Sequence, residues 1–113
     1  MPAMALGETS LLTCIANDYG YEDVFRRQVE AWARPGDLAV GLTTSGRSPN
    51  VLAAFRLAKE RGARTVALTG EAGVKEPGLA DLVLAVPSRN TARIQECHIT
   101  IGHIVCELVE KDL

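Results

Sequence analysis

The sequence predicts an α/β fold, a three-layer sandwich built on a parallel β-sheet. Three short apolar runs typical of buried strands alternate with segments that have helical spacing: Leu38–Leu42, Arg64–Thr69 and Leu82–Val86. Strands that alternate with helices form parallel sheets whose two faces are covered. At 113 residues with 47% hydrophobic content, the chain is long enough for one compact domain, residues 1–113, and too short for two.

Two helices are expected before the first strand. Thr9 or Ser10 would cap the first helix, which continues to Ala16 and stops in the turn formed by residues 17–20. The second helix is predicted to run from about Tyr21 to Ala33, and it ends before an Arg-Pro-Gly turn.

The first strand leads into a turn rich in hydroxyl groups, which we call the hydroxyl turn: Thr43-Thr44-Ser45-Gly46-Arg47-Ser48. Ser48 and Pro49 have the residue types of a helix N-cap and first helical position, and the following helix runs to Glu60. Free backbone N–H groups and the helix dipole favour an anion there, so the pattern is typical of a phosphate or carboxylate site. The alternative is a strand-to-helix turn that binds nothing. Neither the P-loop nor the dinucleotide glycine pattern is present, which favours a smaller phosphorylated ligand.

The last predicted helix, from about Thr91 to Lys111, has no wide polar face. We expect it to be buried nearly all round, in part against another polypeptide chain. Gln95 and His103 lie on one broad face of this helix. His103 is either a satisfied core histidine or a metal ligand and general acid–base, with Gln95 holding a substrate oxygen or completing the metal shell. His98 is expected to be a surface or packing residue.

Composition excludes several classes of partner. The net charge is −2 with interspersed signs, which gives no basic surface for DNA or RNA. Charged residues interrupt the longest apolar helix, so a membrane span is not expected. The three cysteines form no C-x-x-C motif and are interpreted as buried thiols in a reducing compartment, which indicates a cytoplasmic protein.

Several segments together resemble the sugar isomerase (SIS) domain family, and within it the phosphoheptose isomerases. The resemblance runs through nearly the whole chain and is carried by four motifs: residues 16–21 (Ala-Asn-Asp-Tyr-Gly-Tyr), 34–37 (Arg-Pro-Gly-Asp), 43–51, and 91–96 with His98 and His103. It implies a flavodoxin-like or Rossmann-like sandwich. It also implies aldose–ketose isomerisation of sedoheptulose 7-phosphate to D-glycero-D-manno-heptose 7-phosphate, in the heptose biosynthesis that supplies lipopolysaccharide.

The resemblance also assigns roles to individual residues. Four hydroxyl side chains would hold the substrate phosphate: Thr43, Thr44, Ser45 and Ser48. Asn17 and Asp18 would contact the sugar, although an Asx-rich turn explains both residues equally well. Gln95 would bind substrate and zinc, and His103 would be a zinc ligand and the catalytic histidine. A homotetramer is the implied assembly.

Two departures from the family pattern bear on these expectations. Arg47 stands where the family usually has asparagine. The family's N-terminal helices, its other His and Glu metal ligands and its catalytic glutamate have no counterpart in this sequence, so the domain is expected to be N-terminally incomplete and inactive alone. Two alternatives remain open: a non-catalytic SIS adaptor resembling the replication-initiator-associating protein, and a module that senses sugar phosphates.

Overall fold

The computed structural model describes residues 2–111 as a parallel three-stranded sheet flanked by helices. The elements in chain order are α1 (Thr9–Asp18), a short 3₁₀ helix (Tyr21–Asp23), α2 (Arg26–Trp32), β1 (Leu38–Thr43), α3 (Pro49–Glu60), β2 (Arg64–Thr69), β3 (Leu82–Ala85) and α4 (Thr91–Lys111). The predicted α/β class, the three strands and the long last helix are confirmed. Among residues 2–111, no helix combines the length and apolar character needed to cross a membrane.

Strand β2 lies between β1 and β3, and both neighbours run parallel to it. Leu38 is opposite Arg64 at one end of the β1–β2 pair, and Thr43 is opposite Thr69 at the other. The carboxyl ends of the two strands therefore meet at the same edge of the sheet. The hydroxyl turn follows β1 at this edge, where open α/β sheets collect their ligands.

Helix α3 covers one face of the sheet and supplies most of the core. Phe55 is 2% exposed and packs with Val51, Leu52 and Ala67. Gly41 of β1 makes this close packing possible, because a Cβ atom there would lie 2.6 Å from Cζ of Phe55. The side of α3 away from this cluster packs against α2, as expected for the apolar stripe of an amphipathic helix.

The opposite face of β1 is open to solvent within residues 2–111. Side chains alternate along a strand, so Leu38, Val40 and Leu42 point away from α3. Their exposed fractions are 60%, 54% and 58%. The sequence pattern predicts helices over both faces of the sheet, whereas the described chain leaves this part uncovered.

A carboxylate joins α3 and the strands at the opposite edge of the sheet. Asp81 accepts hydrogen bonds from Lys59 Nζ at 2.8 Å and from the backbone N–H of Thr65 at 2.7 Å. The Thr65 hydroxyl, which is fully buried, also lies 3.0 Å from the same carboxylate. The ammonium group of Lys59, followed by the two Thr65 donors, lowers the pKa of Asp81 to about 2.

The N-cap of α1 differs from the prediction. Glu8 occupies that position rather than Thr9 or Ser10, and its carboxylate accepts a hydrogen bond from Leu11 N at 2.9 Å. The longer glutamate side chain reaches the first-turn amides that a shorter cap would otherwise satisfy.

The single helix predicted over Tyr21–Ala33 is wrong. The chain forms the 3₁₀ helix and α2 instead, interrupted at Val24 and Phe25. Val24 is fully buried, and Phe25 packs against both core clusters. The helical pattern does not reveal this break, because two adjacent apolar residues also fit the apolar stripe of one continuous amphipathic helix.

Helix α4 is much less buried than its sequence suggests. Only Ile94 and His98 are buried, while four large apolar side chains are at least half exposed: Ile99, Ile104, Val105 and Leu108. The prediction of near-complete burial is wrong within the described chain, because α4 is buried against the rest of the domain only in its first turns. The three cysteines, predicted to be buried, are also exposed: Cys14, Cys97 and Cys106.

Candidate functional site

The hydroxyl turn joins the end of β1 to the start of α3. Ser48 is the N-cap residue and Pro49 the first helical residue, as predicted. The Ser48 hydroxyl does not cap the helix through a hydrogen bond; it lies 2.8 Å from the hydroxyl of the buried Thr43. The pair of hydroxyls fixes the Ser48 side chain and leaves the first amides of α3 without a side-chain cap from this residue.

The turn is locked against the loop that follows β2. Gly46 has a φ of 64°, a conformation that favours glycine, and its carbonyl accepts a hydrogen bond from Lys75 N at 2.9 Å. A Cβ atom at this position would lie 1.7 Å from the carbonyl oxygen of Gly73. A second backbone bond of 3.1 Å runs from Gly70 N to the Thr44 carbonyl. The hydroxyl turn therefore has a conformation imposed by a second loop as well as by its own sequence.

Positive charge and free hydroxyl groups lie on the outer side of the turn. Ser45 is exposed, and its Oγ accepts a hydrogen bond from Arg47 N at 3.2 Å. The Arg47 side chain is exposed and makes no ion pair with another of residues 2–111. A cation at a helix N-terminus reinforces the preference of that position for an anion.

An open cleft of about 410 Å³ borders the turn. It is lined by Ser48, Pro49 and Asn50 on the α3 side and by Tyr21 and Glu22 of the 3₁₀ helix on the other. Sequence reasoning did not identify Tyr21 and Glu22 as site residues. The available signal was their position directly after the Asn-Asp-Tyr-Gly motif that ends α1.

Asn17 and Asp18 are exposed at the end of α1. Asn17 Nδ2 donates to Asp18 Oδ1 at 2.8 Å. No hydrogen bond connects either side chain to the hydroxyl turn in the part of the chain that the structure describes. Their link to the cleft is indirect, because α1 packs against the 3₁₀ helix that lines it.

Gln95 and His103 are both exposed on α4. Eight helical residues separate them by about 12 Å along the helix axis. Over residues 2–111, no three His, Cys, Asp or Glu side chains come together as metal ligands would. A catalytic zinc ion needs about three protein ligands, so these two side chains do not by themselves fit one.

His98 has the packing role that the sequence allowed. It is 4% exposed, and its Nε2 lies 3.1 Å from the carbonyl oxygen of Thr69 at the end of β2. Because a carbonyl only accepts hydrogen bonds, Nε2 carries the proton. The bond attaches α4 to the edge of the sheet that also carries the hydroxyl turn.

Comparison with known families and proteins gives one consistent group. A family model described as SIS domain matches residues 1–70. Curated phosphoheptose isomerases are similar over the whole chain: that of Roseiflexus sp. (strain RS-1) is 57% identical over 114 aligned positions, and that of Geobacter sulfurreducens is 58% identical. The chain covers 58% and 60% of these two proteins, or about three fifths of the relatives that it matches.

Solved structures show the same likeness in three dimensions. The phosphoheptose isomerase GmhA from Neisseria gonorrhoeae has a TM-score of 0.86 at 44% identity, and the match covers 96% of this chain and 61% of that one. A phosphoheptose isomerase from Francisella tularensis has a TM-score of 0.92 at 37% identity, with coverage of 97% and 60%.

Proposed function

This chain belongs to the SIS domain family, and we propose that its hydroxyl turn binds the phosphate group of a sugar phosphate. We further propose that the chain takes part in the isomerisation of sedoheptulose 7-phosphate to D-glycero-D-manno-heptose 7-phosphate, since the relatives that match its full length are named phosphoheptose isomerases. The observation that carries the proposal is the rigid hydroxyl turn at the N-terminus of α3.

The proposal gives the four hydroxyl residues different roles in phosphate binding. Thr43 is buried and bonded to Ser48, so it orients the Ser48 hydroxyl rather than meeting solvent itself. Ser45 and Ser48 would donate to the phosphate together with backbone N–H groups at the start of α3, and Thr44 lies beside them, partly buried. Arg47 would add a charge at the outer side of the turn.

The cleft beside the turn suits the rest of a sugar phosphate. Glu22 places a carboxylate on its far wall, and a carboxylate accepts hydrogen bonds from sugar hydroxyls but repels a second anion. Tyr21 offers a ring face and a hydroxyl to the same space. With Asn17 and Asp18 close by in sequence, these residues would contact the sugar while the hydroxyl turn holds the phosphate.

The proposed reaction moves a proton between adjacent carbons. A base removes a proton from C1 of the ketose while the C2 carbonyl oxygen takes up a proton, which gives an enediol. C2 then takes up a proton while the O1 hydroxyl loses one, so that C1 becomes the aldehyde and C2 carries the hydroxyl group of the aldose. Histidine serves such transfers because its side chain titrates near neutral pH, and we assign this role to His103. Gln95 would hold a substrate oxygen. Both side chains are exposed on α4, so we place the reaction at a contact between α4 and another polypeptide segment.

The proposal includes a zinc ion for which this chain supplies only some of the ligands. We propose that Gln95 and His103 are zinc ligands and that the remaining ligands come from a polypeptide segment outside residues 2–111. Because the two residues lie about 12 Å apart along α4, they share one ion only if both side chains reach far or if they come from different subunits. Zinc bound there would stabilise negative charge on a substrate oxygen.

The surface area of the chain leaves room for a contact with another polypeptide, which we propose is a second copy of the chain. Its accessible surface is 7419 Å², whereas a compact monomer of 12.1 kDa has about 6000 Å². The excess of about 1400 Å² is larger than the roughly 800 Å² that each partner buries in a contact of standard size. The exposed apolar side chains of α4 would be buried in such a contact. We propose that the protein is a homotetramer located in the cytoplasm.

A titration of sedoheptulose 7-phosphate into the chain tests the phosphate assignment. Each charge-assisted hydrogen bond contributes about 1.5–3 kcal/mol, so Ser45→Ala and Ser48→Ala should each weaken binding at least about tenfold. Ser10→Ala removes an exposed hydroxyl on α1 and serves as the matched control, with unchanged affinity expected. Wild-type affinity in both hydroxyl-turn variants would refute the assignment.

One observation favours a second candidate, a non-catalytic adaptor that binds other proteins. The apolar side of α4 is the kind of surface that a protein partner covers. Product formation separates the two functions: an assembled protein that binds the sugar phosphate and releases no aldose phosphate would support the adaptor or a sensing module.

A further inference from the structure

We propose that His98 is a positioning residue for the sugar-phosphate site, through a hydrogen-bonded connection between α4 and the hydroxyl turn. This inference rests on the proposed function. His98 is the single titratable side chain on α4 that is buried in the described structure, and the proposed reaction does not use it directly.

The connection runs through the end of β2. His98 Nε2–H donates to the Thr69 carbonyl at 3.1 Å, and the next peptide N–H, that of Gly70, donates to the Thr44 carbonyl at 3.1 Å. Thr69 is fully buried, and its hydroxyl donates to the Gly70 carbonyl at 3.0 Å. The peptide unit that joins Thr69 to Gly70 at the end of β2 therefore binds α4 through its carbonyl and the hydroxyl turn through its N–H.

Close packing at Gly70 leaves this connection little freedom. A Cβ atom there would lie 2.7 Å from Ile94 Cδ1, 2.7 Å from the Thr44 oxygen and 3.1 Å from the Ser88 oxygen. Ile94 and His98 are one helical turn apart and are the two buried residues of α4. The apolar contacts of Ile94 have no preferred direction. The His98 hydrogen bond does have one, and it fixes both the rotation of α4 about its axis and its height above the sheet.

That rotation decides where the proposed substrate groups lie. Gln95 precedes His98 by three residues, about 60° around the helix axis, and His103 follows it by five, about 140° around, and both are exposed. A substrate held at the hydroxyl turn would meet these groups only if α4 keeps its place relative to the turn. Inorganic phosphate, which reaches only the turn, would be indifferent to the placement of α4.

The test compares two ligands in two His98 variants and in one control variant. His98→Leu keeps apolar bulk and removes the donor, so we expect it to bind sedoheptulose 7-phosphate about tenfold more weakly, the factor that one hydrogen bond provides, and inorganic phosphate as well as wild type does. His98→Gln places an amide N–H near the position of Nε2 and should restore the sugar-phosphate affinity. Phe55→Leu, which weakens the core on the α3 side, is the control for a general loss of stability and should leave the ratio of the two affinities unchanged.

The outcomes separate the inference from the function on which it rests. A wild-type chain that binds neither ligand would refute the proposed function. A wild-type chain that binds both equally, or a His98→Leu variant with an unchanged affinity ratio, would overturn the role of His98 and leave phosphate binding intact. If His98→Leu fails to fold, His98→Asn replaces it: its shorter amide should give a partial loss of sugar-phosphate affinity alone, and an unchanged ratio would again overturn the proposal.

Discussion

Replacing Gly46 with alanine should damage both the stability of the domain and its anion site. Alanine in the left-handed conformation costs about 1–2 kcal/mol. The new Cβ would also lie 1.7 Å from the Gly73 oxygen, and ordinary contact begins near 3.4 Å, so the two loops must separate by roughly 1.7 Å. That separation breaks the Lys75 N–H bond to the Gly46 carbonyl, which contributes about 1 kcal/mol. We expect a total loss of about 2–3 kcal/mol in the free energy of unfolding.

Gly73→Ala provides a matched control on the other side of the same contact. Gly73 has a φ of 65°, nearly that of Gly46, but nothing lies within 4 Å of the Cβ position. Gly73→Ala should therefore lower the free energy of unfolding only by the cost of the left-handed conformation, about 1–2 kcal/mol. Urea denaturation followed by circular dichroism measures both losses, and a phosphate titration should show weakened binding in Gly46→Ala alone. Equal destabilisation by the two substitutions would refute the reasoning that the loops are held by direct contact.

Two further predictions concern a charge and a surface. Asp81 has a pKa lowered from 3.8 to about 2, so its contribution to stability is complete above pH 3.8 and is lost as the pH falls through about 2. Asp81→Asn should therefore be less stable than wild type at neutral pH, with a difference that shrinks across that acidic window; a difference independent of pH in urea denaturation would contradict the assigned pKa. Replacing the exposed Ile104 and Leu108 of α4 with lysine should convert an oligomer into a monomer in light scattering, whereas an unchanged mass would exclude this surface from the subunit contact.

Local sequence signals predicted the fold well where the structure depends on local interactions. β2 begins and ends where the apolar run predicts, and Ser48 and Pro49 occupy the predicted start of α3. The same signals failed where distant contacts decide the outcome. The helix break at Val24 and Phe25 was not predicted, and Phe25 packs against clusters formed mostly by later segments of the chain.

The candidate site was likewise predicted where local residue types determine the structure and missed where distant contacts do. The position of the hydroxyl turn was predictable from residue types, because hydroxyl residues, glycine and proline between a strand and a helix are typical of a turn. Its attachment to the loop after β2 was not evident, because the contact between Gly46 and Gly73 joins residues far apart in sequence. The exposure of most of α4 was also missed. An apolar pattern indicates that a helix is buried but does not show which polypeptide buries it.

The open face of β1 has a thermodynamic consequence for the isolated chain. Leu38, Val40 and Leu42 are already hydrated in the folded state, so unfolding exposes less new apolar surface than it does in a fully covered domain. The heat capacity of unfolding should therefore fall below the usual value of about 12–15 cal/mol/K per residue. A smaller heat capacity change flattens the curve of unfolding free energy against temperature. Cold denaturation then requires a lower temperature, and the free energy of unfolding changes little over a broad range. Any polypeptide that covers this face would raise the heat capacity change and restore the usual curvature of the unfolding free energy with temperature.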